Sequence, residues 1–478
     1  MTTQNCLVLM SDEHARGALG CYNSPIVQTP NLDKLAARGI RFTNAYTPSP
    51  ICVPARASFA TGRYIHETRF WTNSQPYDGS IPSWGHRLMQ EGCHTVSIGK
   101  LHYRSHDDPN GFNEEILPLH VKSGLGWTRG LLRGKNQSWD KAHEFAEQIG
   151  PGECSYTHYD MRVCETACNW LKKEAPKHKS TPWTLFVSFA SPHYPLVVPE
   201  KYYHLYPLDK IDPPRLNRAD ELPHHPVLKA LQRYMNYDDY FNERTRLIAK
   251  ASYYGLCTFM DDHIGRLLNA LEESGQLTST TILYVSDHGE ALGNHGFWTK
   301  CTMYEESVAI PMLLSGPGVP RSQTNTTLVS LIDGYPTILE SIGIRKSAED
   351  ARRPGHSLIS IANGLSPERS ILSEYHDGGS ITGMFMVRHK RWKYICYPGF
   401  RPQLFDLTED PFERNDLAEN ANFDEALAEC HAALLNIVDP EKANALAFSD
   451  QAQRIEELGG VDAILASKDF DYSPVPNV

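Results

Sequence analysis

The chain has no long hydrophobic run. After the polar Met1–Asn5, the first apolar stretch lasts only from Cys6 to Met10, far short of the roughly 20 residues of a membrane span and of the apolar region of a secretory signal. The expectation is a cytoplasmic protein with no membrane partner. A basic surplus is also lacking: 46 Lys and Arg face 57 Asp and Glu, for a net charge of −11. Phosphate backbones need a cationic face, so nucleic acid is excluded as the expected partner. A small anionic substrate stays compatible where local cations outweigh the global field. Regular cysteine spacing is missing as well. The 11 Cys are odd in number and scattered, as reduced thiols are, and form no disulfide framework. Cys164 and Cys168, one helical turn apart, read as core packing. There is no internal repeat and no low-complexity tract. What is present is a chain of 478 residues, 41% hydrophobic, enough for one large α/β domain and a smaller one.

Four apolar runs end in polar residues that carry chemistry. Cys6–Met10 leads into Ser11-Asp12-Glu13-His14, and His94–Ile98 into Gly99-Lys100-Leu101-His102. Thr184–Ala190 leads into Ser191-Pro192-His193, and Thr281–Ser286 into Asp287-His288. Such runs are the pattern of parallel strands buried on both faces, and the carboxyl edge of an open α/β sheet is where sites lie. Between them, Thr29 with Pro30 opens a helix that stops at Gly39, and Ile40–Tyr46 alternates like a strand. Ser83–Glu91, Met161–Lys173 and Arg244–Glu273 have helical periodicity. Asp261, Asp262 and His263 are consecutive on the last of these, so they point in different directions and read as caps, ion pairs or surface groups. Residues 103–155, with Trp127 and Trp139, are rich in Gly, Asn and Asp and read as loops over the site. A polar, Gly/Pro-rich stretch around 345–367 marks a boundary between a catalytic domain, 1–360, and a C-terminal subdomain, 361–478. The latter holds short strands at Ser370–Glu374, Met384–Arg388 and Trp392–Tyr397. Its tail, Tyr472–Pro476, either docks on a neighbouring subunit or is flexible.

The stretch Pro50–Tyr64 puts Cys52 in a turn bracketed by Pro48, Pro50 and Pro54, followed by a helix with Arg56 one turn on and a Thr61-Gly62-Arg63 stop. A lone Cys usually reads as a small core hydrophobe. At a helix start, backbone N–H groups and the dipole favour an anion there. Cys52, Pro54, Ala55, Arg56, Thr61, Gly62 and Arg63 together resemble the signature of the type I, formylglycine-dependent sulfatases of the alkaline-phosphatase superfamily. Asp287-His288-Gly289-Glu290, Lys300, Glu305 and Glu306 resemble that superfamily's second metal segment. His288, where many sulfatases carry Asn, places the chain near the choline-sulfatase and phosphonate monoester hydrolase branch.

The resemblance implies a large, mixed, mostly parallel sheet sandwiched by helices, with a smaller α+β subdomain on a short antiparallel sheet. It implies a sulfuric ester hydrolase in which Cys52, oxidised by a formylglycine-generating enzyme, is the nucleophile as an aldehyde hydrate. Asp12, Glu13, Asp287 and His288, with the Cys52-derived group, are the implied ligands of one divalent ion, calcium or manganese ahead of zinc or magnesium. Imidazole suits manganese, zinc or iron better than calcium. His193 or Lys300 would protonate the leaving alcohol, and His102 would be the base that releases sulfate. Lys100 and Lys300 would hold the anion, with Arg56 bracing the nucleophile turn and Asn73 donating to sulfate. Tyr375 and His376 are expected at the substrate, which is an aryl or a choline ester. Two other readings stay open: a phosphonate monoester or phosphodiester hydrolase with the same nucleophile, and a non-catalytic metal- and anion-binding relative. A homo-oligomer is expected.

Overall fold

The computed structural model describes residues 4–134, 141–467 and 472–476; Trp139 lies outside the described residues. The large sheet contains eight strands: β1 (Asn5–Asp12), β2 (Ile40–Phe42), β3 (His94–Lys100), β4 (Glu114–Leu119), β5 (Trp183–Pro192), β6 (Thr280–Ser286), β7 (Met312–Ser315) and β8 (Gln323–Asn325). Their order is β8-β2-β7-β6-β1-β5-β3-β4. Pairing is parallel throughout except at β7, which runs antiparallel to both β6 and β2. The four strands with polar ends, β6, β1, β5 and β3, are therefore neighbours with their carboxyl ends at one edge.

Side chains alternate across a strand, and β1 shows what this does to the core. Cys6, Val8 and Met10 pack on one face with α2 (Cys52–Thr61), α3 (Trp84–Gln90) and α6 (Gly334–Ser341). Leu7 and Leu9 pack on the other with α1 (Pro30–Arg38), α4 (Ser155–Lys173) and α5 (Glu243–Glu273). Every residue of β1, β5 and β6 is buried, as continuous apolar runs require. Asp261 accepts backbone N–H groups of Asn31 and Leu32, at 3.0 and 2.8 Å, and so caps the start of α1. Asp262 accepts from the Tyr202 hydroxyl.

Two expectations are corrected. The 103–155 stretch contains β4, a half-exposed edge strand whose Glu114-Glu115 and Pro118 hide its strand character. The alternation over Ile40–Tyr46 is divided: Ala45–Tyr46 leaves the large sheet and pairs with Val329–Ser330. The second sheet is antiparallel, in the order β9 (Ile371–Tyr375), β10 (Met384–His389), β11 (Trp392–Cys396), β12 (Gln403–Asp406). It is backed by α7 (Asp424–Leu435) through Cys430 and Leu434. Among the described residues no helix is long and apolar enough to cross a membrane.

Candidate active site

Helix α2 begins at Cys52. Ile51 is extended, and the Ala55 N–H closes the first turn on the Ile51 carbonyl at 3.1 Å. The next exposed donor, the Val53 N–H, is taken by Asn73 Oδ1 at 3.1 Å. Gly62 ends the helix at φ 66°, a conformation open to glycine at no steric cost. The helix is buried along its whole length, Cys52 included.

Arg56, one turn along, is 2% exposed and holds three strand ends. Its Nε donates to Asp287 Oδ2 at 2.8 Å, one terminal nitrogen to Asp12 Oδ2 at 2.9 Å, and the other to the Lys100 carbonyl and Ser188 Oγ at 2.7 and 2.9 Å. These contacts occupy the planar guanidinium fork. Arg56 is thus a brace between α2, β1, β3, β5 and the end of β6.

With the Oδ2 atoms of Asp12 and Asp287 engaged by Arg56, other atoms face Cys52. Asp12 Oδ1 is 3.7 Å from Cys52 Sγ, and His288 Nε2 is 3.1 Å from it. His288 Nδ1 is 3.0 Å from the Gly289 carbonyl; a carbonyl only accepts, so Nδ1 carries the proton and Nε2 presents its lone pair to the site. The donor atoms of Asp12, Cys52, Asp287 and His288, all buried, lie within 4.8 Å of one another. Two carboxylates, an imidazole with its far nitrogen fixed by a carbonyl, and the Cys52 position make a donor set that fits a divalent cation. Glu13 stands to one side, in a group with Asp12 and His193. Its Oε2 accepts from Lys300 at 2.9 Å, and burial, outweighing Lys300, pushes its carboxyl well above the usual range.

Opposite the ligand group stand the cations. Lys100 Nζ is 2.8 Å from Asp12 Oδ2, close enough for charge pairing though not aligned as a hydrogen bond. Lys300 Nζ donates to His193 Nε2 at 2.7 Å, while His193 Nδ1 is held by the Tyr194 carbonyl at 2.7 Å. His193 is therefore a neutral acceptor toward Lys300. Burial, helped by Lys300 and Lys100, holds it well below the usual imidazole range. His102 is held low by burial and then by Lys100 and Arg56; neither ring nitrogen has a hydrogen-bond partner among the described residues. Burial pushes the Asp12 carboxyl up, but the cations Lys100 and Arg56 outweigh it and hold Asp12 well below the carboxylate range. The Cys52 thiol is pushed up, chiefly by burial and then by Asp12, so as a thiol it is a poor nucleophile.

A cavity of ≈ 70 Å³ opens on this group, lined by Cys52, Asn73, His102, His193 and Lys300. Its outer wall is Trp127, Tyr194, Met235, Tyr237 and Tyr472. The tail packs on its own chain: the Tyr156 hydroxyl donates to the Ser473 carbonyl at 2.9 Å, and the rings of Tyr472 and Tyr156 meet at 4.8 Å. Tyr237 and Tyr472 were not among the expected site residues, since ring packing between distant segments leaves no local period.

Tyr375 and His376 do not line this cavity. The Tyr375 hydroxyl donates to the Gly378 carbonyl at 2.8 Å, and fully buried His376 lies 3.4 Å from Glu374 and edge-on to Trp71. Tyr375 ends β9 and His376 follows it; the next residues stand behind the cavity wall, Asp377 accepting the Asn73 N–H and Gly378 lying against Trp127.

A helix start that presents Cys52, with a donor set fit for a divalent cation on one side and lysines with neutral imidazoles on the other, is a site suited to hydrolysing an anionic ester. The chain belongs to the sulfatase family: the family model described as Sulfatase matches residues 4–344, and that of the N-sulphoglucosamine sulphohydrolase C-terminal region matches 293–439. It is a hydrolase acting on sulfate esters. It is 33% identical over 444 residues to a choline-sulfatase of Rhizobium meliloti (strain 1021), covering 88% of this chain and 84% of that one. It is 30% identical over 467 residues to arylsulfatase K of Bos taurus, covering 92% and 83%. The fold matches that of the phosphonate monoester hydrolase of Agrobacterium radiobacter with a TM-score of 0.72 at 21% identity, over 91% of this chain and 95% of that one.

Proposed function

We propose that the protein hydrolyses a small sulfate monoester with a formylglycine hydrate derived from Cys52 as nucleophile. The observation that carries the proposal is the position of Cys52 at the start of α2, 3.1 Å from the His288 lone pair and lining the same cavity as His102, His193 and Lys300. Cys52 Sγ stands where the oxygens of the hydrate would be. Asp12, Asp287 and His288 would hold a divalent ion, which supplies Lewis acidity and lowers the pKa of a neighbouring hydroxyl.

The chain's own residues do the rest. Lys100 and Lys300 place positive charge where sulfate oxygens gain negative charge, in a site closed to bulk water. The leaving alcohol takes its proton from the Lys300–His193 pair. Lys300 carries the proton, since its Nζ donates to His193 Nε2 at 2.7 Å while His193 Nδ1 is bound to the Tyr194 carbonyl. His102 accepts a proton in the step that releases sulfate. Asn73, bound through its Oδ1 to the start of α2, fixes the helix mouth on the cavity it lines.

The alcohol portion meets Trp127, Tyr194, Tyr237 and Tyr472, and among the described residues no carboxylate lines the cavity. Ring faces bind a flat aryl group or a quaternary ammonium, and the choline-sulfatase relative adds weight to the second. His288 favours a second reading, phosphonate ester hydrolysis by the same groups. Steady-state rates on choline sulfate, an aryl sulfate and a phenyl phosphonate ester test the proposal: kcat/KM is expected to be highest for a sulfate. A phosphonate turned over faster than either sulfate would overturn it.

A further inference from the structure

The end of β4 and the loop before it bring together a group that the reaction does not use. Glu115 is on β4, His120 follows its last residue, and His106 lies in the loop between β3 and β4. His106 Nδ1 and His120 Nε2 are 3.3 and 3.2 Å from the same atom, Glu115 Oε2. The three donor atoms lie within 4.8 Å of one another. Direct N–H···O bonds centre near about 2.9 Å, and these contacts are longer. A tetrahedral ion about 2.0–2.1 Å from each donor sets those donors about 3.3–3.4 Å apart, and both nitrogen–oxygen distances match it.

The surroundings are arranged for a ligand. Asn110, buried, donates its amide to Glu115 Oε1 at 2.8 Å and to the Ser105 carbonyl at 2.9 Å. That bond fixes the carboxylate and leaves Oε2 to the two imidazoles, as an outer-shell partner does at a metal site. Glu115 is 6% exposed, His120 13% and His106 65%, so one side is open to solvent for a water or an exogenous ligand. Two imidazoles with one carboxylate select zinc, nickel or copper over calcium or magnesium.

We infer that His106, Glu115 and His120 form a second divalent-metal site, specific for a late first-row cation such as Zn²⁺ and sharing no residue with the catalytic group. Neutral imidazoles and the ionised carboxylate donate to the ion, with water in the open position. An ion there ties the loop to the end of β4. The neighbouring Leu119 carbonyl accepts the Leu101 and His102 N–H groups at 3.1 and 2.8 Å, so the tie reaches the backbone that positions His102.

The test is Zn²⁺ titration by calorimetry, with elemental analysis after dialysis, on enzyme kept in excess Mn²⁺ to occupy the catalytic centre. Wild type is expected to bind one Zn²⁺ equivalent more than His106→Ala, His120→Ala or Glu115→Gln. Asn110→Ala should weaken that equivalent by about 10–100-fold. Asp287→Asn should retain it, which separates the site from the catalytic one. His106 is exposed, so its alanine variant should keep the metal-free melting temperature and lose only the Zn²⁺-induced rise. Equal Zn²⁺ stoichiometry and affinity in wild type and the His106→Ala/His120→Ala double variant would overturn the inference and leave Glu115 as a plain acceptor for two imidazoles.

Discussion

At the joint between the two sheets, Lys393 on β11 is fully buried and has two carboxylates, Glu305 and Glu413, each at 2.8 Å. At the catalytic edge Lys300, also buried, has one carboxylate, Glu13, and turns toward a cavity. At the joint the charges are paired: Arg16 takes the other oxygen of Glu305 at 2.7 Å and the Met303 carbonyl takes a further Lys393 proton at 2.9 Å, while the Glu305 and Glu413 oxygens nearest Lys393 pair with it by charge and not as aligned hydrogen bonds. At the catalytic edge the unmet group faces a cavity: His102, with no hydrogen-bond partner on either ring nitrogen among the described residues, lines it beside Lys300. A buried pair that is complete fixes geometry, and removing one member leaves an uncompensated charge. A buried group left incomplete stores a demand that a substrate or ion can meet.

Substitutions in the two regions should therefore fail in different ways. Asp287→Asn has the largest expected effect on activity: bound metal and turnover should vanish together, measured by elemental analysis and kcat, and full metal occupancy would remove Asp287 from the ligands. Lys300→Ala should lower kcat by about 10²–10³-fold, with the melting temperature little changed. Lys393→Ala should show the reverse, losing about 3–5 kcal/mol of stability in denaturant titration with kcat retained by the folded fraction. If Lys393→Ala proves stable and Lys300→Ala unfolds, the comparison is wrong.

A smaller effect, set by pH, belongs to Glu374 on β9. Burial pushes its carboxyl up, but His66 at 2.7 Å and His376 outweigh it and bring it from 4.5 to about 2. A folded-state pKa below the unfolded one stabilises above about pH 4.5, and that contribution fades as pH falls from there toward 2. The amount is on the order of 3 kcal/mol. Glu374→Gln should lower stability at pH 6 and flatten its decline below pH 4.5, read from melting curves. The smallest effect is expected at the cavity wall: Tyr472→Ala removes one ring and should raise KM by about 3–10-fold with kcat held.

Much of the catalytic edge was legible because its strands are buried on both faces. Continuous apolar runs stop abruptly at Asp12, Lys100, His193 and Asp287, and parallel pairing puts all four stops together. The expectation of Tyr375 and His376 at the substrate rested on residue type alone, and local pattern does not say whether such a side chain lines a cavity or packs behind its wall. β4 was hidden by its edge position, where Glu114 and Glu115 need not be apolar. Helix α4 starts at Ser155, earlier than its apolar period shows, because Tyr156 and Tyr159 are buried through rings that also carry hydroxyls. The aromatic wall depends on Trp127, Tyr237 and Tyr472, which are far apart in the chain and meet only in the folded protein.

The central claim concerns one atom. Peptide mass analysis of the segment containing Cys52, from protein produced with and without a formylglycine-generating enzyme, tests it most directly. The account predicts an aldehyde in place of the thiol, with sulfate-ester hydrolysis rising in proportion to the converted fraction. Full activity with an intact thiol at Cys52 would contradict it.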